Sequence, residues 1–269
     1  MAVHEIHRFP RTRLATFDVG QLSQKRHYVP ILLECDITDS RQKIRHLKKE
    51  HPVSFNSWLL KTIGETITHH RSVAGYRIGK RRLLTFDDVH ISFIVEKEVD
   101  GKKVPIPLLI KQVNRKKIQE ISSEIEAAKT HELDKRDSVI HQSASPFESL
   151  YFALPGFLRR LVWRLLLRRP GWAHETMGNA VVSSVGMMGK INGWFIQTSV
   201  HPLSIGVGSI IRKPWAVGSE IKIRDILHLT VLMDHDLVDG APMARFIQDL
   251  VNDIEGGSGL ALNNKNKPG

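Results

Sequence analysis

The spacing of apolar positions along this chain changes several times, and each change marks an element. Residues 31–37 read as a strand, after which Asp39 caps a helix carrying Ile44 and Leu47. Ser54 precedes a second amphipathic helix with Phe55, Trp58, Leu59, Ile63 and Ile67. Residues 1–30 are polar and rich in His and Arg, and read as an irregular lead-in. After the second helix the pattern shortens to strands at 73–78, 82–85 and 89–95. Asp100-Gly101, between Val99 and Val104, signals a hairpin, and Asn114 begins a helix with Ile118, Ile121 and Ile125. Further along, Leu158, Leu161, Val162, Leu165 and Leu166 form one apolar face of a helix over 157–169. Arg159, Arg160, Arg164 and Arg168 lie opposite, interrupted by Trp163 and Leu167. Strands are expected at 194–198, 204–211 and 220–223, separated by Asn192-Gly193, His201-Pro202 and the stretch 214–218. The end of the chain from Gly256 has the composition of a flexible tail.

The most informative stretch is 227–248. Leu227, Leu229, Val231 and Met233 alternate as in a half-buried strand. Met243, Phe246, Ile247, Leu250 and Ile254 follow at helical spacing, with Pro242 in the first turn. Between the two runs His235 ends the strand, Asp239 stands four residues on, and Gly240 lets the chain turn. A positioned general base requires such a constellation. The spacing alone fits an ordinary polar strand end equally well, because the chain holds 14 histidines.

Composition narrows the setting. With 41% apolar and 25% charged residues the chain has the make-up of an ordinary globular protein, and its 30.5 kDa can bury a full core as one domain. No apolar run approaches the roughly 20 residues of a membrane span, and the first residues lack the apolar centre of a secretory signal. Cys35 is the single cysteine, so no intrachain disulfide can form and a cytoplasmic location is expected. The net charge of +11 admits a solvated basic surface, attraction of an anionic cosubstrate, or attraction of an anionic membrane. Nucleic acid is disfavoured because the basic residues lie in scattered groups without interleaved stacking aromatics. His4 with His7, and His69 with His70, lack a third ligand at a convincing spacing, so no metal site is expected.

The stretch DHDLVDGAPMARFI resembles the His-x-x-x-Asp-Gly motif of the catalytic domains of 2-oxo acid dehydrogenase acyltransferases and of the related chloramphenicol acetyltransferases. Upstream, GNAVVSSVGMMG is similar to the family's strand ending in Ser-Asn-Leu-Gly or Ser-Ser-Leu-Gly. The order of strands and helices over about 27–130 also resembles the family's. The resemblance implies a two-layer α/β sandwich of the chloramphenicol acetyltransferase type, a mixed sheet with helices on one face and a strand crossing to a neighbour. It implies His235 as general base, Ser183 as oxyanion donor and Asp239 as the residue that holds the loop, with Arg13 and Arg26 both open as its partner. It further implies coenzyme A as substrate, a second small-molecule acyl acceptor or donor, and a homotrimer, or an assembly of trimers, with sites between subunits. One catalytic domain is expected over 1–255. No lipoyl domain is present in the sequence, so no covalent lipoyl group is expected on this chain. Asp236 stands where the family's dehydrogenase members commonly carry Arg. The basic helix, in an insertion of about 147–170, has no counterpart in the pattern: packing within the protein or against a neighbour, and docking on an anionic membrane, both remain open for it. A catalytically silent trimeric scaffold, or a membrane-surface protein using that helix, is the competing reading of the whole chain.

Overall fold

The structure, a computed structural model, describes residues 4–5, 13–99, 102–130, 146–185 and 191–260. Six strands form one mixed sheet in the order β1-β8-β7-β6-β4-β5. These are β1 (Tyr28–Asp36), β4 (Ile91–Val99), β5 (Lys102–Ile110), β6 (Ala180–Ser184), β7 (Leu203–Val217) and β8 (Glu220–Asp234), while β2 (Tyr76–Ile78) and β3 (Arg82–Leu84) make a separate pair. β6 runs parallel to both its neighbours and the other pairings are antiparallel. Alternation explains which face is covered. Leu227, Leu229, Val231 and Met233 of β8, with Ala180 and Val182 of β6, join the core. Onto that face pack α2 (Thr38–Leu47), α3 (Phe55–His69), α4 (Ile118–Thr130) and α8 (Gly240–Gly256), through Ile44, Trp58, Ile63, Ile121, Phe246 and Leu250.

Local chemistry sets several boundaries. Ser54 caps α3 reciprocally with Ser57, as the pattern predicts. At α2 the expected cap by Asp39 is replaced. Asp36 accepts from the Thr38 amide and hydroxyl at 3.0 and 2.7 Å, so the helix starts two residues earlier and Asp39 lies in its first turn. Asn114 does not open a helix. Its side chain accepts from the Val89 amide and donates to the Asp87 carbonyl, bracing the chain before α4. Where an irregular lead-in was expected, residues 13–23 form α1 (Arg13–Ser23). Residues 194–198, expected as a strand, run extended over the sheet without joining a ladder, Phe195 and Gln197 being less exposed than Trp194 and Ile196.

The segments expected at 204–211 and 220–223 belong to one long hairpin of β7 and β8, turning at Gly218 with φ 61°. Pro214 sits inside β7 without disrupting the sheet, because β6 pairs only with residues 203–207 and leaves the far half of β7 with one partner. Residues 212–225 therefore project as a two-stranded arm with Ile221 and Ile223 exposed. Residues 256–260, assigned to a tail by composition, close the fold instead: Gly257 takes the left-handed conformation that ends α8, Leu260 is buried, and Trp58 Nε1 donates to the Ser258 carbonyl. The Asp100-Gly101 turn, residues 6–12 and residues 261–269 lie outside the described residues.

The inserted segment forms α5 (Pro146–Ala153), α6 (Gly156–Leu167) and α7 (Pro170–Met177). Its orientation differs from the expected one. Arg159 turns inward, to the buried carboxylate of Asp18 on α1 at 2.7 Å and to the Leu154 carbonyl, and Arg160 stands 3.8 Å from the same carboxylate. The apolar positions Phe157, Leu161, Val162 and Leu165 face solvent instead of a core. The buried aspartate draws Arg159 inward, since a carboxylate out of water requires a paired cation, while Arg164 and Arg168 stay exposed.

Candidate active site

β8 carries His235 to its end, and the turn that follows is held by the residue before it. Asp234 is 1% exposed; its Oδ2 takes a 2.6 Å bond from Arg26, and its Oδ1 accepts from the Asp236 amide. The Asp234 carbonyl accepts from Leu237, and the His235 amide donates to the His27 carbonyl at 2.9 Å. Asp236 in turn holds His27 at 2.9 Å and Arg77 at 3.2 Å. The His27 hydrogen bond, with help from Arg77, holds the Asp236 carboxyl below its ordinary range. His235 itself is exposed. Asp239 is the N-cap residue of α8, exposed and without a side-chain cap bond. Arg26, one of its two candidate partners, is bound to Asp234 instead.

Ser183 is part-buried on β6 and, by alternation with Ala180 and Val182, faces away from the helices. It lies level with Gly206, and Gly206 lies level with Thr230, five residues before His235 on β8. At roughly 3.3 Å per residue this puts Ser183 about 16 Å along the sheet from His235 and two strands across. One chain does not bring the two together. Beside Ser183 the sheet buries polar groups that sequence reading missed. Thr230 Oγ1 and Gln197 Oε1 are buried without hydrogen-bond partners among the described residues, and a Cβ at Gly206 would fall 2.5 Å from that Gln197 oxygen. The signal in the sequence is the pair His228 and Thr230 among the apolar residues at the centre of β8.

On the helix face, next to Ser184, opens a cavity of about 640 Å³. Ile44, Val53 and Leu227 line its floor; Arg41, Arg45, Lys48 and Lys129 outnumber the one acid, Glu126. Cys35 is buried, which pushes its thiol up to about 12 and leaves it without thiolate chemistry at neutral pH. The histidine pairs weighed for metal binding are not the ones the fold assembles: the described residues instead gather His90, His174 and Glu175, which are distant or unremarkable in sequence.

Comparison with known proteins places this geometry. The catalytic-domain model of the 2-oxoacid dehydrogenase acyltransferases matches residues 21–142 and 173–262. The dihydrolipoyllysine-residue acetyltransferase component of the pyruvate dehydrogenase complex of Acholeplasma laidlawii is 33% identical over 96 residues, 36% of this chain. That match spans only 18% of the relative's length. Among solved structures, Azotobacter vinelandii dihydrolipoamide acetyltransferase, studied for the role of a serine, a histidine and an asparagine in its catalytic mechanism, superposes with a TM-score of 0.66 at 18% identity, covering 96% of this chain and 95% of that one. A chloramphenicol acetyltransferase superposes with a TM-score of 0.51 at 10% identity, covering 94% and 99%. The fold is therefore the expected one. With a family model covering most of its length, the chain belongs to the 2-oxoacid dehydrogenase acyltransferases and is an acyltransferase catalytic domain of that family.

Proposed function

We propose that the protein moves an acyl group between coenzyme A and a thiol or other small acceptor, at sites that two copies complete together. The observation that carries this reading is the placement of His235 and Ser183 at different levels of one sheet, out of each other's reach within a chain. The spacings support the assignment: 52 residues from Ser183 to His235 and four from His235 to Asp239 are those between the serine, histidine and asparagine studied in the Azotobacter enzyme. In the transfer, the imidazole of His235 takes the proton of the attacking thiol and the sulfur adds to the thioester carbonyl. The Ser183 hydroxyl donates to the resulting oxyanion, which collapses by expelling the second thiol as the imidazolium returns the proton. No acyl-serine forms. Asp239, at the start of α8, positions the turn. Exposed Trp194 and Ile196, on a segment that joins no ladder, suit a neighbouring copy in a homotrimer.

Thioester exchange with free coenzyme A tests the reading. Inactive His235→Ala and Ser183→Ala subunits, dissociated and mixed, should recover part of the activity in composite sites. A protein that assembles yet shows no exchange with any acyl donor would instead be the silent scaffold.

A second role is favoured by α6. Residues 143–172 lie outside the family match. On this helix Phe157, Leu161 and Leu165 form an exposed row, 65%, 45% and 46% accessible, with Arg164 and Arg168 also exposed. Residues 149–174 contain five arginines and no acid, so the same face of a second copy would meet like charge, whereas an anionic membrane surface complements it. We infer that this helix docks the enzyme on anionic lipid. Cosedimentation with anionic vesicles in low salt should show it, and absence of binding there ends the idea.

A further inference from the structure

Three side chains that the acyl-transfer reading does not use converge at the same end of the sheet as His235. His90 stands just before β4, and His174 and Glu175 are consecutive on α7. His90 Nε2 and His174 Nδ1 each lie 3.7 Å from Glu175 Oε1, and the three ligand atoms all lie within 4.8 Å of one another. Ligands about 2.0–2.1 Å from a tetrahedral zinc sit roughly 3.4 Å apart, so a modest contraction of this triangle would admit the ion.

The surroundings already orient His174 and Glu175. His174 Nε2 is 3.0 Å from the Asp88 carbonyl, which can only accept, so that nitrogen carries the proton and Nδ1 turns its lone pair toward Glu175. Metal-ligating histidines are ordinarily oriented in this way. At His90 the Gln112 amide donates to Nδ1 at 3.3 Å, so the ring proton sits on Nε2, the nitrogen 3.7 Å from Glu175 Oε1, and is released when an ion binds there. Both imidazoles are buried, His174 stacked on Phe86 at 3.9 Å and His90 tilted against His174 at 4.0 Å, so little side-chain freedom remains to be lost on binding. Lys111 holds the other oxygen, Oε2, of Glu175 at 2.7 Å and leaves Oε1 facing the rings. Glu175 is 57% exposed, so a fourth position opens to solvent.

We propose that His90, His174 and Glu175 form a binding site for a divalent transition-metal ion of the zinc class, completed by water. Two imidazoles and one carboxylate select such an ion over magnesium or calcium, which take oxygen donors. The ion would clip α7 to the start of β4. Ile91 is level with Ala180, Leu203 and Met233, so the site lies three strands, roughly 14 Å, from the His235 end of β8 and takes no part in the transfer. The inference is independent of the acyl-transfer reading.

The test uses the full chain, stripped with a chelator and titrated with zinc by calorimetry, and with cobalt by visible absorption. One equivalent per chain is expected, with tetrahedral cobalt bands and a raised melting temperature. Glu175→Gln, at an exposed position that should leave folding intact, should weaken zinc binding at least tenfold and change the cobalt spectrum. His90→Asn and His174→Asn should abolish the spectrum, while His69→Gln, outside the cluster, should leave it unchanged. Absence of stoichiometric binding, or binding that Glu175→Gln leaves unaltered, overturns the site.

Discussion

Arg26→Ala would leave the Asp234 carboxylate buried without its cation, and by the usual cost of an uncompensated buried charge it should destabilise the fold by about 3–5 kcal/mol in urea melts. His235 is exposed and its side chain has no packing role, so His235→Ala should keep wild-type stability while transfer falls below a tenth of the wild-type rate. Retention of more than that would remove it as the base. Ser183→Ala should lower turnover by roughly 100-fold, the cost of losing one oxyanion donor; an unchanged rate would take Ser183 out of the site. His201 contributes to the dependence of stability on acid. Desolvation pushes the His201 imidazole down to about 4 from its ordinary 6.5, with Nε2 beside the Met177 carbonyl. The unfolded chain takes up that proton first. Stability from this group is thus intact above pH 6.5 and is lost as pH falls through 4. Melts at pH 7.5 and 5 should show a smaller loss on acidification in His201→Gln than in the natural protein.

The elements were legible wherever the sequence signal is local. The alternation of β8 followed by the helical period of α8 fixes a strand-to-helix junction with His235 at its hinge, and the Ser54 cap announces α3. What failed depended on distant partners. The place of Arg159 was not legible because Asp18, 141 residues before it, draws that guanidinium inward, and nothing within the helix shows it. Residues 194–198 alternate as a strand should, yet alternation does not supply a ladder. The His90, His174 and Glu175 cluster was invisible for the same reason, since only the docking of α7 against β4 assembles it. The inward turn of Arg159 changes the test of α6. Arg159 anchors the helix and must stay, so Arg164→Gln with Arg168→Gln and Leu161→Ser is the variant to make. At about 1 kcal/mol per arginine near an anionic surface, the two charges alone should weaken vesicle binding by roughly 30-fold, with thioester exchange nearly unchanged.

For the whole molecule, the proposal that two copies complete each site would make activity a property of assembly. Dilution below the dissociation constant of the assembly should abolish exchange sooner than it unfolds the chain, which activity and far-UV circular dichroism followed over the same concentrations would show. The excess of 39 basic over 28 acidic residues also opposes close approach of copies, so assembly should tighten as salt screens that repulsion. The arm at 212–225 gives the assembly a clock. A two-stranded ribbon is marginally stable in water, and residues 214–223 of this one join no third strand, while its base is tied to β1 through Lys213–Glu34 and Arg224–Asp36. Its amides should therefore trade protons for deuterons in seconds to minutes while those of residues 226–233 persist far longer, and the arm's exchange should slow sharply in any state where a neighbour covers Ile221 and Ile223.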